Sequence, residues 1–288
     1  MANPDVQAFF DEVTNTISYI VSDPATKKAA IIDPVLDFDL AAARTSTESA
    51  SEMLGVVAEQ GLTVDWILET HAHADHLTSA KVLAEKTGAK IGIGTDITEV
   101  QTKFAPLFGV ESEEAAADVF DKLFVDGETF QIGSLDVRVL HTPGHTPACI
   151  SYQIGDAIFV GDTLFMPDFG TARSDFPGGD ARTLYRSIQK ILSLAEETRV
   201  FVGHDYLPKG RETYQWETTV GEQKRSNIHV GAGKTEEQFV SMRETRDKTL
   251  GAPKLILPSL QVNIRGGSMP EADDDGTVYL RLPINKMG

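Results

Sequence analysis

Cysteine is nearly absent: Cys149 is the only one in 288 residues. That excludes an internal disulfide and any thiolate-rich zinc site, so a bound metal must draw its ligands from His, Asp or Glu. Basic residues are scarce too, 26 Lys and Arg against 43 Asp and Glu, for a formal charge of −17. This charge repels phosphate backbones and anionic lipid heads, and no Lys/Arg run supplies a local exception, so neither nucleic acid nor a membrane surface is expected as a partner. No stretch approaches the roughly 18 uninterrupted apolar residues of a membrane span. The opening "MANPDVQAFFDEV" lacks the basic and apolar regions of a secretion signal. A soluble cytoplasmic protein is expected. Repeats of solenoid period and low-complexity tracts are also missing.

What is present suffices for a sizeable core, with 41% hydrophobic residues. "TISYIVSDPATKKAAIID" (16–33) predicts a β-hairpin, residues 37–47 a loop, "ESASEMLGVVAEQG" a helix closed by Gly61, and "VDWILET" a strand. In "LTSAKVLAEKTG", Leu77, Ala80, Ala84 and Thr87 fall on one helical stripe ended by Gly88, and "KIGIG" follows as a strand. Residues 96–121 are mixed and acidic and are expected to be helical. From Lys122 to Val160 the pattern changes to period two, a meander of strands. "DARTLYRSIQKILSL" reads as a helix capped by Asp180, "TRVFVGHD" as a strand, and "TEEQFVSMRETRDKTL" as a helix starting from a Thr-Glu-Glu cap. Strands in two blocks, each finished by helices, give an α/β architecture of two sheets between helical layers. Residues 1–226 are expected to form this body. Residues 227–288 would form a helix and an extended strap packed on the same domain, with "ADDDG" joining two short strands.

The ionisable residues are unevenly placed. "THAHADHLTSA" (70–80) holds His71, His73, Asp75 and His76 at the end of an apolar strand. The same signature recurs at His141 and His145 in "HTPGHTPA", at Asp162 in "FVGDTLF", and at His204 with Asp205 in "FVGHDY". His71 and His145 are 74 residues apart and Asp162 lies 17 further on, so only a shared sheet rim brings them together. Such groups are costly to bury unpartnered, which points to a metal; His141 and His229 read as ordinary hydrogen-bonded histidines. Imidazole with carboxylate suits four-coordinate Zn²⁺ and equally a two-His, one-carboxylate Fe²⁺ site, and there are enough donors for two metals.

"THAHADH", "HTPGHTPA", "VGDTLF" and "GHDY", in that order, resemble the metallo-β-lactamase superfamily. The resemblance implies an αββα sandwich with the metal at one edge between two mixed sheets. Two branches retain all these ligands and act on glutathione conjugates: glyoxalase II, a two-metal thioester hydrolase, and the persulfide dioxygenases, which use one Fe²⁺ and O₂ to convert glutathione persulfide to sulfite and glutathione. "GTARSDFPGGDARTLYRSI" (170–188), "RTSTES" and "LPSLQVNIRGGSMP" are similar to the second, bacterial type. Carried over residue by residue, the iron triad falls on His71, His145 and Asp162. His73, Asp75, His76 and His204 surround it with catalytic support, or hold a second Zn²⁺ in the hydrolase alternative. Arg173 and Tyr206 match glutathione-binding positions, Asp175 matches a supporting one, and a homodimer follows by analogy. Some relatives carry a cysteine where this chain has Gly266, so no mechanism here can use that thiol. Cys149, among apolar neighbours, reads as a buried structural thiol.

Overall fold

The computed structural model describes residues 3–109 and 119–286. The first half runs β1 (Asp5–Asp11), β2 (Thr16–Ser22), β3 (Lys28–Ile32), β4 (Val35–Asp39), β5 (Arg44–Ser46), α1 (Glu48–Glu59), β6 (Thr63–Leu68), β7 (Leu77–Thr78), α2 (Ala80–Thr87), β8 (Lys90–Gly94) and α3 (Ile97–Phe104). The second half holds β9 (Lys122–Phe124), β10 (Thr129–Ile132), β11 (Leu135–His141), β12 (Ile150–Ile154), β13 (Ala157–Phe159), α4 (Ala181–Leu192), β14 (Arg199–Phe201), β15 (Glu217–Thr219), α5 (Val220–Ser226), α6 (Glu236–Asp247) and α7 (Ile256–Asn263).

Two mixed six-stranded sheets result, ordered β1-β2-β3-β6-β8-β9 and β10-β11-β12-β13-β14-β15, with a small β5-β4-β7 sheet beside them. Strand β2 shows how alternation builds the layers. Ile17, Tyr19 and Val21 point between the sheets, against Val137, Tyr152 and Phe159 of the second. Ile20 points the other way, onto Met53 of α1 and Leu83 of α2. On the far side, Leu184, Ile188 and Ile191 of α4 cover Ile158 and Val200. Both sheets are therefore buried on two faces, giving the αββα sandwich that the resemblance implies. Hydrogen bonds stitch the sheets together at the ligand end: Ile17 N donates to Gly203 O at 2.8 Å and Ile150 N to Thr70 O at 2.9 Å. No helix among the described residues is long and apolar enough to cross a membrane.

The 16–33 hairpin, α1 with Gly61 beyond it at φ 64°, and α6 with its Thr235 capping box all follow the sequence pattern. Asp180 caps α4, accepting from Thr183 N at 2.7 Å and Thr183 Oγ1 at 2.6 Å. Asp180→Ala is expected to cost about 1 kcal/mol, read as a lower urea midpoint with unchanged slope.

Other expectations are corrected. Residues 37–47 are not a loop but most of the β4–β5 hairpin. Arg44, Thr45 and Ser46 are all exposed, so no apolar alternation announces them; the Asp39 carboxylate sets the turn by accepting from Ala41 N and Ala42 N. Leu77 leaves the α2 stripe and pairs as β7 with β4. The 122–160 meander begins one strand late, because β9 joins the first sheet parallel to β8. The helical reading of 96–121 is met by α3 and a 3-10 turn at Ala105–Phe108, while residues 110–118 lie outside the described residues. The strap contains α7, whose Pro258 sits in the first turn, where a missing N–H costs no helical bond. Among the described residues 264–286 there is no strand, so "ADDDG" makes only a turn, with Asp273 N donating to Thr277 O.

Candidate metal centre

The strand ends press ionisable groups toward the same rim, four of them from the turn after β6, and the hydrogen bonds fix which atom faces inward. Thr70 Oγ1 donates to Asp33 Oδ2 at 2.8 Å, so it accepts from His71 Nδ1 at 3.0 Å and leaves Nε2 of that ring as the lone-pair nitrogen. His145 Nδ1 donates to Arg173 O at 2.8 Å, His76 Nδ1 to Leu77 O at 3.1 Å, and His204 Nδ1 to Asn15 O at 3.1 Å, each with the same consequence. His73 is turned over: its Nε2 faces Asp33 Oδ1 at 3.0 Å and Glu69 Oε2 at 3.2 Å. Its Nδ1, like Nε2 of His76, is buried with no hydrogen-bond partner, and Nε2 of His204 makes no hydrogen bond although two carboxylates face it. Orphaned buried nitrogens cost about 1–3 kcal/mol each, and a metal ion is the partner that would remove that cost.

Among the described residues the donor atoms converge in three groups, of which one, Asp33, Glu69 and His73, is the set already paired through His73 Nε2, and the other two are adjacent. Those of His71, His145 and Asp162 lie within 4.8 Å of one another, and so do those of His73, Asp75 and His204. Asp162 stands between them, with Oδ2 3.6 Å from His145 Nε2 and Oδ1 3.3 Å from His204 Nε2. Asp75 Oδ2 is 3.1 Å from His204 Nε2. Burial and neighbouring histidines hold His71 well below the ordinary imidazole range and bring His76 down to about 3. Burial also opposes charge on His73 and His204, but the carboxylates facing them win and hold both up. A metal would bring its own positive charge and take the place of those protons.

The centre opens into a cavity of about 1,130 Å³ whose walls include Asp75, His76, His145, Asp162, Arg173 and Tyr206. The β4–β5 hairpin forms another wall, from Val35 to Ser46. Tyr206 is 40% exposed and stacks on His204 with ring centroids 5.6 Å apart. The Arg173 fork is engaged by Asp175, Nε to Oδ1 at 2.5 Å and Nη2 to Oδ2 at 2.7 Å, while Nη1 donates to Gly251 O. Asp175 therefore fixes the guanidinium rather than lining the cavity.

His141 lies outside the groups, between Asp96 and the Pro147 carbonyl, and His229 accepts from Thr171 N. Cys149 is buried among Thr146 donors, and burial pushes its thiol up to about 12, so it is inert. At Gly266 (φ 61°) a Cβ would come 2.7 Å from the Val119 carbonyl oxygen, so this backbone has no room for the cysteine of some relatives. Gly144 is likewise fixed: at φ 129° an added Cβ would meet the Leu184 backbone at 2.3 Å, which lets the His145 turn sit flat on α4.

Sequence reasoning missed Asp33, Glu69, Arg243, Asp247 and Asn263. Asp33 shows the same carboxylate-at-strand-end signature as Asp162 and could have been found by it. Glu69 directly precedes "THAHADH" and Asn263 lies inside "LPSLQVNIRGGSMP", so both stand beside marked stretches, whereas Arg243 and Asp247 sit in α6 with no motif around them.

The family model described as "Metallo-beta-lactamase superfamily" matches residues 12–204. The chain is 52% identical over 284 residues to the beta-lactamase hydrolase-like protein of Xylella fastidiosa, covering 99% of this chain and 65% of that one, so it spans about two thirds of that relative's length. It is 47% identical to glyoxylase B2 of Dictyostelium discoideum, covering 97% of each. With the human mitochondrial persulfide dioxygenase ETHE1 it shares 28% identity over 70% of this chain and 68% of that one. The crystal structure of ETHE1 from Myxococcus xanthus superposes with a TM-score of 0.74 at 34% identity, covering 92% of this chain and 100% of that one.

Proposed function

The chain belongs to the metallo-β-lactamase superfamily, and from that premise we propose that it is a persulfide dioxygenase. Glutathione persulfide, O₂ and water would give glutathione, sulfite and two protons. The observation that carries this reading is the His71, His145 and Asp162 group, two imidazoles and one carboxylate converging at the edge of a cavity. These three would hold one Fe²⁺. Iron with open positions supplies a meeting point for O₂ and a sulfur anion, making an intermolecular oxidation effectively intramolecular. The likeness to the two ETHE1 proteins supports this assignment.

The remaining residues prepare the site. Thr70 and the Arg173 carbonyl keep His71 and His145 in the tautomer whose Nε2 lone pair is free. His73, Asp75, His76 and His204 set the charge around the triad, and His204 is placed to hold or release a proton beside Asp162. Tyr206 and the Arg173 guanidinium, steadied by Asp175, would contact the peptide portion of the substrate on the cavity wall. The test is oxygen consumption by protein loaded anaerobically with Fe²⁺, on adding glutathione persulfide, with sulfite measured in the same sample. Uptake matched one to one by sulfite is expected. No uptake by a demonstrably iron-loaded protein overturns the assignment.

One observation favours a second reading. The His73, Asp75 and His204 group, with an Asp162 oxygen on each side, has the donor set of a two-metal centre, and such a pair supplies a bridged water nucleophile. The protein would then hydrolyse glutathione thioesters, a reading supported by the name of a Brucella ovis relative, hydroxyacylglutathione hydrolase, 34% identical over 60% of this chain and 61% of that one. Two equivalents of Zn²⁺ with thioesterase turnover would select it. One metal with none would discard it.

A further inference from the structure

Residues beyond 204 lie outside the stretch matched by the family model, yet buried side chains from two C-terminal helices grip the loop that carries His71 to His76 and the segment whose carbonyl orients His145. Asn263, at the end of α7, is 3% exposed. Its Nδ2 donates to His73 O at 2.8 Å and to His76 O at 2.7 Å, while its Oδ1 accepts from Thr78 N at 2.9 Å. One amide thus satisfies three backbone groups on the loop that carries His71, His73, Asp75 and His76, and no other side chain can present two donors and an acceptor from that point in the same plane except glutamine, which is longer.

On the opposite side, Asp247 at the end of α6 is 4% exposed. Its Oδ2 accepts from Ser174 N at 2.9 Å and Ser174 Oγ at 3.1 Å. Its Oδ1 faces Arg243 Nε at 2.8 Å, and Arg243 Nη1 reaches on to the Thr171 carbonyl at 3.1 Å. The segment held this way, 171–174, contains the Arg173 carbonyl that orients His145. A carboxylate and a guanidinium buried together are kept at a desolvation cost, and here their remaining hydrogen bonds all go to one short loop.

We infer that Asn263 and the Asp247–Arg243 pair are positioning residues for the metal centre, so that residues 227–286 and the sandwich act as one unit in binding metal. None of the three touches the ion. Each fixes the backbone from which a ligand or its orienting carbonyl projects. The inference rests on the metal centre and is indifferent to which of the two reactions it serves.

Cobalt(II) is the probe, because its visible absorption reports ligand geometry and its binding can be measured without turnover. In the intact wild-type chain, hydrogen exchange is compared with and without cobalt. Coupling is reciprocal, so loading should slow exchange in peptides covering 256–264 and 171–175 and leave α1 unchanged. Asn263→Ala and Asp247→Asn should each weaken cobalt binding by about 10- to 100-fold and shift the visible bands, as loss of an orienting contact does. A role confined to stability would lower the unfolding midpoint of the metal-free protein while leaving cobalt affinity and spectrum in place. Unchanged exchange in 256–264 on loading, or variants that bind cobalt within about twofold of wild type with the same spectrum, overturns the inference. If a variant does not fold, the wild-type exchange result decides alone.

Discussion

His71→Ala and Asp162→Ala are each expected to lose the bound metal and to lower persulfide-dependent oxygen uptake by roughly a thousandfold or more, the several kcal/mol that a positioned metal contributes to a transition state. His71 has a single hydrogen-bonded nitrogen, to Thr70, and burial keeps the ring neutral, so its other nitrogen has no structural use except as a ligand. Asp162 presents one oxygen to each donor group, Oδ2 3.6 Å from His145 Nε2 and Oδ1 3.3 Å from His204 Nε2. Elemental analysis of the purified variants, followed by the oxygen electrode, checks both statements. A His71→Ala protein that kept full iron and full uptake would refute the triad. Asp75→Ala discriminates further. It removes a donor from the second group alone, so a one-metal enzyme should retain its iron, whereas a two-metal enzyme should lose half of its zinc.

Asp33→Ala should be the most destabilising substitution in the region that the motifs do not mark, at about 3 kcal/mol for the metal-free protein. Asp33 is 3% exposed and accepts from Thr70 N at 2.7 Å and Thr70 Oγ1 at 2.8 Å as well as facing His73. Burial opposes its charge, but His73 and Thr70 hold the carboxyl below its ordinary range. Truncation leaves two buried Thr70 donors without an acceptor and a His73 ring whose remaining carboxylate, Glu69, is itself pushed up by burial. Urea unfolding measures the loss, and Asp33→Asn, which keeps one acceptor, should cost less. A loss below about 1 kcal/mol would mean that Glu69 takes over the whole task. Metal affinity should fall in parallel, because His71 is oriented through Thr70 and His73 directly.

The layers were legible because burial writes period two into a half-buried strand such as β11 and 3.6 into helices such as α1 and α4, while β2, buried on both faces, reads as an apolar run and α6 is marked by its cap. The β4–β5 hairpin was not, since its exposed strand carries no apolar residue and its pairing is made by backbone atoms and one aspartate. The first strand, β1, escaped for a related reason: it is an edge strand, half-buried along its length. Helix α7 was misread because Pro258 is a breaker in a strand or helix interior but not in a first helical turn.

The site divides in the same way. That His71, His73, Asp75, His76, His145, Asp162 and His204 gather at one rim could be read directly, because each stands where a strand ends and the chain turns. Which nitrogen of each ring faces the centre could not, because that is set by carbonyls and carboxylates from other elements: Asn15 for His204, Arg173 for His145, Asp33 for His73. Asn263 lies 190 residues from the His73 it supports, a separation at which no local pattern carries information. By itself, then, the sequence determined the kind of atoms at the centre and the sheets that deliver them, since residue type and periodicity are local properties. Only the tertiary structure decided the tautomers, the grouping of the donors and the grip of the C-terminal helices, since each depends on the distance between groups that the chain brings together from far apart.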